Sequence, residues 1–213
     1  MTPKALVELL SSLVSIDTTN DPLRGRHVSE REGREVLGEL KRHGFEGELM
    51  VNSGFPLIMS VMGSGSPVTL FMAHFDVVPP GPGWEGDPFS LRIQGDRAYG
   101  RGSADDKSNV SSIALALSSA TVGRGTVIVA FTGDEEIGGR HGAGFLAEYL
   151  KAKGLWPDHV VNGDGFLSSV ITRRRNVFTA RIEVEGSEEE SEGCKVSREF
   201  RAKTLNKDTR HSA

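Results

Sequence analysis

The stretch Val68-Thr69-Leu70-Phe71-Met72-Ala73-His74-Phe75-Asp76 decides how the chain is read. Its first six residues form a nearly continuous apolar run, preceded by the turn-like Gly63-Ser64-Gly65-Ser66-Pro67. An apolar run bounded by turn residues predicts a strand in the interior of a sheet. In open α/β sheets, ligands collect just outside the carboxyl ends of such strands, and His74 and Asp76 occupy that end. In an extended segment, a spacing of two puts both side chains on one side. There the carboxylate can accept a hydrogen bond from the imidazole and fix the tautomer that faces a metal. Taken alone, His-x-Asp is equally readable as a chance pairing.

Working outward, residues 57–62 form a second apolar strand, and residues 126–131 a β-branched one. Helical patterns separate the strands. Thr2-Pro3 is a helix entry followed by Leu6, Leu9, Leu10 and Leu13 at helical spacing. Ser29 with Glu32 three residues on reads as a capping box before Val36, Leu37 and Leu40, and Gly44 is placed to end that helix. Residues 108–119 carry Val110, Ile113, Ala114 and Leu117 at helical spacing, and residues 145–151 read as a further helix. Val160-Val161 supplies another short strand. Strands alternating with helices predict an α/β domain, a mixed and largely parallel sheet flanked by helices on both faces.

The pattern changes near residue 177. Residues 177–184 alternate at period two, which predicts one buried and one wet face. Residues 187–193 hold four glutamates and no apolar side chain, a solvated turn before a second weakly alternating stretch at 195–202. The expected organisation is a metal-binding domain over 1–176 and the beginning of a small α+β unit over 177–213.

Three more acidic positions follow the logic of His74. Asp105 and Asp106 come after Tyr99-Gly100-Arg101-Gly102-Ser103-Ala104, just before a helix. A carboxylate there can bridge two cations, or either residue can serve as a helix N-cap. Asp134-Glu135-Glu136 directly follow an apolar strand, and three adjacent acids at a buried strand end repel one another unless cations relieve them. Asp164, beyond His159-Val160-Val161-Asn162-Gly163, repeats the arrangement, although such an Asp alone is more often a turn residue. Recurrence at four strand ends or loops of one α/β chain favours a shared metal centre. Oxygen-rich ligation with His and no thiolate suits Zn²⁺, Co²⁺ or Mn²⁺.

Composition narrows the alternatives. With 25 Lys plus Arg against 29 Asp plus Glu, the formal charge of -4 gives no attraction to a polyanion, so nucleic acid is not an expected partner. Cys194 is the only cysteine, which removes an intramolecular disulfide and fits a reducing, cytoplasmic setting. No apolar run approaches the ~20 residues needed to span a bilayer, so no membrane partner is expected. Arg173-Arg174-Arg175 reads as a basic turn, His141 and His159 as element-end residues, and Trp84 and Phe89 as loop anchors.

In combination, four motifs resemble the M20 metallopeptidases and deacylases, a family that includes acetylornithine deacetylase, succinyl-diaminopimelate desuccinylase, carboxypeptidase G and aminoacylase. They are His74-Phe75-Asp76-Val77-Val78-Pro79, Trp84 with Asp87-Pro88-Phe89, Tyr99 through Lys107, and Gly133-Asp134-Glu135-Glu136. Ser108 stands where the family usually has glycine. The resemblance implies that His74, Asp105 and Asp164 bind one metal, that Asp105 bridges to a second held by Glu136, that Asp76 orients His74, and that Glu135 is the general base. It further implies two divalent ions, Zn²⁺ foremost, an N-acyl amino acid or small peptide as substrate, and a homodimer formed through a lid. His211 resembles the lid histidine used on substrate and reads equally as a terminal residue. The family's last metal-binding histidine has no counterpart here, so the chain is expected to be the first part of a complete enzyme. The rival readings are a non-catalytic fragment that keeps the fold and a dinuclear zinc aminopeptidase.

Overall fold

The computed structural model describes residues 3–165, which lie within the first of two units, Met1–Ile171. The expected strand at 177–184, the second unit and His211 lie outside the described residues.

Helix α1 (Pro3–Ser15) buries Leu9, Leu10, Leu13 and Val14, close to the stripe read from its leucines. Helix α2 (Glu30–Arg42) starts at the expected capping box. The Ser29 side chain accepts from the helix backbone while Glu32 reaches back to the Ser29 N–H at 2.9 Å. Two N–H groups that would otherwise lack partners at the helix start are thereby satisfied. Helix α3 (Lys107–Ser118) and helix α4 (Ala143–Ala152) follow among the described residues.

Among the described residues, five strands build the main sheet: β1 (Glu48–Asn52), β2 (Phe55–Ser64), β3 (Val68–His74), β6 (Gly125–Thr132) and β7 (His159–Asn162), in the order β1-β2-β6-β3-β7. Pairing is antiparallel for β1 with β2 and β2 with β6, and parallel for β6 with β3 and β3 with β7. Only β2 therefore runs against the other four. The sheet is mixed and largely parallel in direction, as the alternation of elements predicts. A separate hairpin pairs β4 (Arg92–Gln94) with β5 (Arg97–Tyr99).

Alternating side chains divide the core into two layers. Ile58, Ala73, Val129 and Phe131 pack with residues of α1, α2 and α3, whereas Leu57, Leu70, Ile128 and Ala130 pack with Leu146 and Leu150 of α4. Because β6 is covered on both faces, its sequence reads as an unbroken apolar run. The same argument explains what the sequence left illegible. Edge strand β1 has no fully buried residue, and β4 and β5 are exposed throughout, so neither produces a burial pattern. Strand β2 continues through Gly63 and Ser64, which pair with Thr126 and Gly125 rather than forming the expected turn. A β-carbon at Gly63 would lie 2.4 Å from the Gly125 carbonyl oxygen, so this close pairing needs glycine.

At the cap of α2, burial would raise the Glu32 pKa, but hydrogen bonds from Ser29 and Arg31 outweigh it and hold the carboxyl at about 2, below its ordinary 4.5. A depressed folded pKa contributes stability above the unfolded value, and that contribution disappears as pH falls through the folded one. Ser29→Ala is expected to cost about 1 kcal/mol at pH 7. The difference from wild type should shrink between about pH 4.5 and pH 2, as followed by chemical denaturation.

Candidate metal centre

Three parallel strands end at one edge of the sheet, β3 and β6 at the same level and β7 two residues short of it. His74 lies opposite Thr132 in the β3–β6 register, Met72 lies opposite Asn162 in the β3–β7 register, and Asp164 follows two residues later. The Phe75 N–H donates to the Thr132 carbonyl at 2.9 Å, carrying the pairing one residue past the strand ends. Asp105 arrives from the loop between β5 and α3, and the Asp105–Asp106 peptide bond is cis.

His74, Asp105 and Asp164 meet. One candidate ligand atom of each lies within 4.8 Å of the others, and among the described residues this is the group suited to a metal ion. His74 is 2 % exposed. Its Nδ1 donates to the Asp76 carbonyl at 3.0 Å, leaving Nε2 to face the Asp105 Oδ1 at 2.9 Å. The tautomer needed at a metal is thus set by an acceptor that cannot donate. The sequence reading assigned that acceptor to the Asp76 side chain, whose Oδ1 is the more distant partner at 3.4 Å.

Asp76 has a further task. Completely buried, it accepts from the backbone N–H of Glu135 through Oδ1 and of Glu136 through Oδ2, both at 3.0 Å, and from Asn20 Nδ2 at 2.7 Å. Glu135 is 45 % exposed, with Oε2 3.9 Å from His74 Nε2. It lines a cleft of about 30 Å³ together with His74, Thr132, Asn162 and Asp164, with room for a water or two. Glu136 stands outside the group of three.

Charge explains why these groups belong with a cation. Burial raises the Glu136 carboxyl to about 7, with Asp105 the strongest of the neighbouring charges that add to the rise. Burial raises Glu135 as well, helped by Asp164, Asp76 and Asp105 and opposed by His74. Burial alone would lower His74, yet Asp76, Asp106 and Glu135 outweigh it and hold the ring at about 10. One imidazole is surrounded by more carboxylates than it can neutralise, and a divalent ion held by the three donors would supply the missing positive charge.

Asn20 and Lys107 carry roles that escaped the sequence reading, and Asp106, read as a possible helix N-cap, has a different one. Asn20 lies far from any acidic motif. Asp106 occupies the N-cap position of α3 without making a side-chain cap bond; instead it accepts from the His74 N–H at 3.2 Å and from the Asn109 side chain. Lys107 is fully buried and donates to the carbonyls of Leu13 at 2.9 Å and Ile16 at 2.8 Å. Burial pulls its pKa down to about 7, against Asp17 and Asp76. The one available signal was the position of Lys107 directly after the paired aspartates.

The sheet edge thus gathers a His, an aspartate on a glycine-flanked loop and acids beyond two neighbouring strands, a donor set suited to a metal ion. Residues 70–205 match peptidase family M20/M25/M40, and the chain belongs to that family. It is 38% identical over 142 residues to a succinyl-diaminopimelate desuccinylase of Gluconobacter oxydans (strain 621H), covering 62% of this chain and 37% of that protein. It is 31% identical over 180 residues to one from Acidiphilium cryptum (strain JF-5), covering 80% and 48%. The M20 family metallo-carboxypeptidase Sso-CP2 of Sulfolobus solfataricus shares the fold, with a TM-score of 0.61 at 22% identity over 76% of this chain and 37% of that one. The chain spans about half or less of the length of the curated relatives it matches. No helix among the described residues is long and apolar enough to cross a membrane.

Lys107→Met keeps the length of the side chain but leaves two buried carbonyls without their donor. It is expected to destabilise the protein by about 2 kcal/mol or more, measured as a shift in denaturant midpoint at constant slope.

Proposed function

We propose that this chain carries the metal-binding part of an amidohydrolase that cleaves N-acyl amino acids or small peptides. The convergence of His74, Asp105 and Asp164 carries the reading, since a buried imidazole and two carboxylates fit a divalent ion. Two ions are proposed, Zn²⁺ foremost and Co²⁺ or Mn²⁺ as substitutes, with Asp105 shared between them and Glu136 on the second. Bound there, they would supply Lewis acidity toward an amide carbonyl.

The other roles belong to the chain. Glu135 lines the small cleft, and its carboxyl, raised by burial and by neighbouring acids, suits a general base. It takes a proton from the attacking water and delivers it to the departing amine. Asp76 holds His74 and the backbone of both glutamates in place, with Glu136 as a ligand and the Glu135 side chain as the proton carrier. Residues 1–176 would form the catalytic domain and residues 177–213 would belong to a lid, through which two copies pair and His211 reaches the substrate. A cytoplasmic setting fits the single cysteine. The desuccinylase relatives make N-succinyl amino acids the first acyl class to assay, beside N-acetyl amino acids and dipeptides.

Glu135→Ala should lower kcat on the hydrolysed acyl amino acid by about 10²-fold or more with metal content unchanged by elemental analysis. Equal loss of metal would reverse the assignment of base and ligand. Chelation should abolish turnover, and added Zn²⁺ or Co²⁺ should restore it; turnover that persists after complete metal removal would overturn the proposal.

A further inference from the structure

Residues 16–21, between α1 and α2, run beneath the candidate centre as an extra extended segment. Thr19 bridges Val77 in parallel, the Asn20 N–H donates to the Val77 carbonyl at 2.9 Å, the Val77 N–H donates to the Thr18 carbonyl at 3.0 Å, and the Thr18 hydroxyl donates to the Phe75 carbonyl at 2.6 Å. This pairing places the Asn20 side chain, 2 % exposed, under both arms of the site.

Every polar atom of that side chain has a directed partner. Nδ2 donates to Asp76 Oδ2 at 2.7 Å and to the Gly133 carbonyl at 3.1 Å, and Oδ1 accepts from the Val28 N–H at 2.8 Å. Two acceptors on one side and one donor on the other leave the amide a single orientation. Asp76 Oδ2 also receives the Glu136 N–H, and Oδ1 receives the Glu135 N–H. Asn20 thus contacts the turn that carries both glutamates in two ways, directly at Gly133 and through the Asp76 carboxylate.

From this geometry we infer that Asn20 is a positioning residue. It anchors Asp76 and Gly133 so that the backbone of Glu135 and Glu136 is fixed relative to His74. The functional meaning of that role rests on the amidohydrolase reading; the positioning itself does not. A carboxylate accepting several donors in a buried site keeps its geometry only while each donor stays in place. Outer partners of this kind typically govern metal affinity by 10–100-fold.

The test uses Asn20→Ser, which withdraws the amide without adding charge, and Asn20→Asp, which sets a carboxylate oxygen against Asp76. Leu150→Val, a core change in the opposite layer, controls for general destabilisation. Amide hydrogen exchange of the metal-free protein under native conditions should speed up about tenfold or more at Glu135 and Glu136 in both Asn20 variants and not in the control. Calorimetric titration with Zn²⁺ alone should show 10–100-fold weaker binding for the variants. Unchanged exchange at the two amides, or equal acceleration by Leu150→Val, overturns the inference. Failure of the metal reading has a different signature: wild type takes up no Zn²⁺ while the two amides still respond to Asn20.

Discussion

Everything at the candidate centre depends on three parallel strands that end at one edge of the sheet. The β6–β3–β7 register sets His74 beside Thr132 and Met72 beside Asn162. Main-chain hydrogen bonding alone then delivers His74, the Gly133–Glu136 turn and Asp164 to one edge. A one-residue slip of any of these strands would turn His74 or its neighbours to the other face. The register is protected by the core, because Val129 and Phe131 face one helical layer while Ile128 and Ala130 face the other. Site geometry and core packing are therefore the same constraint, met on alternate residues.

Charge sets the second condition. The centre gathers carboxylates that burial and mutual repulsion push toward neutrality, Glu136 to about 7 and Asp106 to about 6. Such a cluster is tolerable because its hydrogen-bond donors are distributed among several elements: Asp76 takes donors from the Asn20 side chain and the Glu135–Glu136 turn, Asp106 from the His74 N–H and the Asn109 side chain, and Asp134 from the His141 N–H. Lys107 contributes by joining the start of α3 to the end of α1. The acids are held as a preformed set whose excess negative charge suits divalent cations.

Much of this was legible in residue order. The buried strands β3 and β6 and the capped helix α2 follow from local patterns, since burial on both faces and a capping box each leave a short signature. His74, Asp105 and Asp164 were legible because ligands at strand ends follow apolar runs, and because four motifs in order match a known family. Strand β1 and the β4–β5 hairpin were not, for exposed strands carry no alternation. Asn20 was equally silent: its role exists only through partners at Asp76 and Gly133, more than fifty residues away in sequence. The distribution of the Asp76 hydrogen bonds was also beyond reach, because a side chain and its own carbonyl lie too close in sequence for spacing to tell them apart.

By itself, the sequence determined the class of the fold, the chemical types of the candidate donors and the family, all of which depend on residue type and local order. Tertiary structure alone decided that His74, Asp105 and Asp164 meet within 4.8 Å, and that the segment ahead of α2 bonds to Asp76, Val77 and Gly133 beside them. Distances between residues remote in sequence are set by register and packing, and no local pattern encodes them.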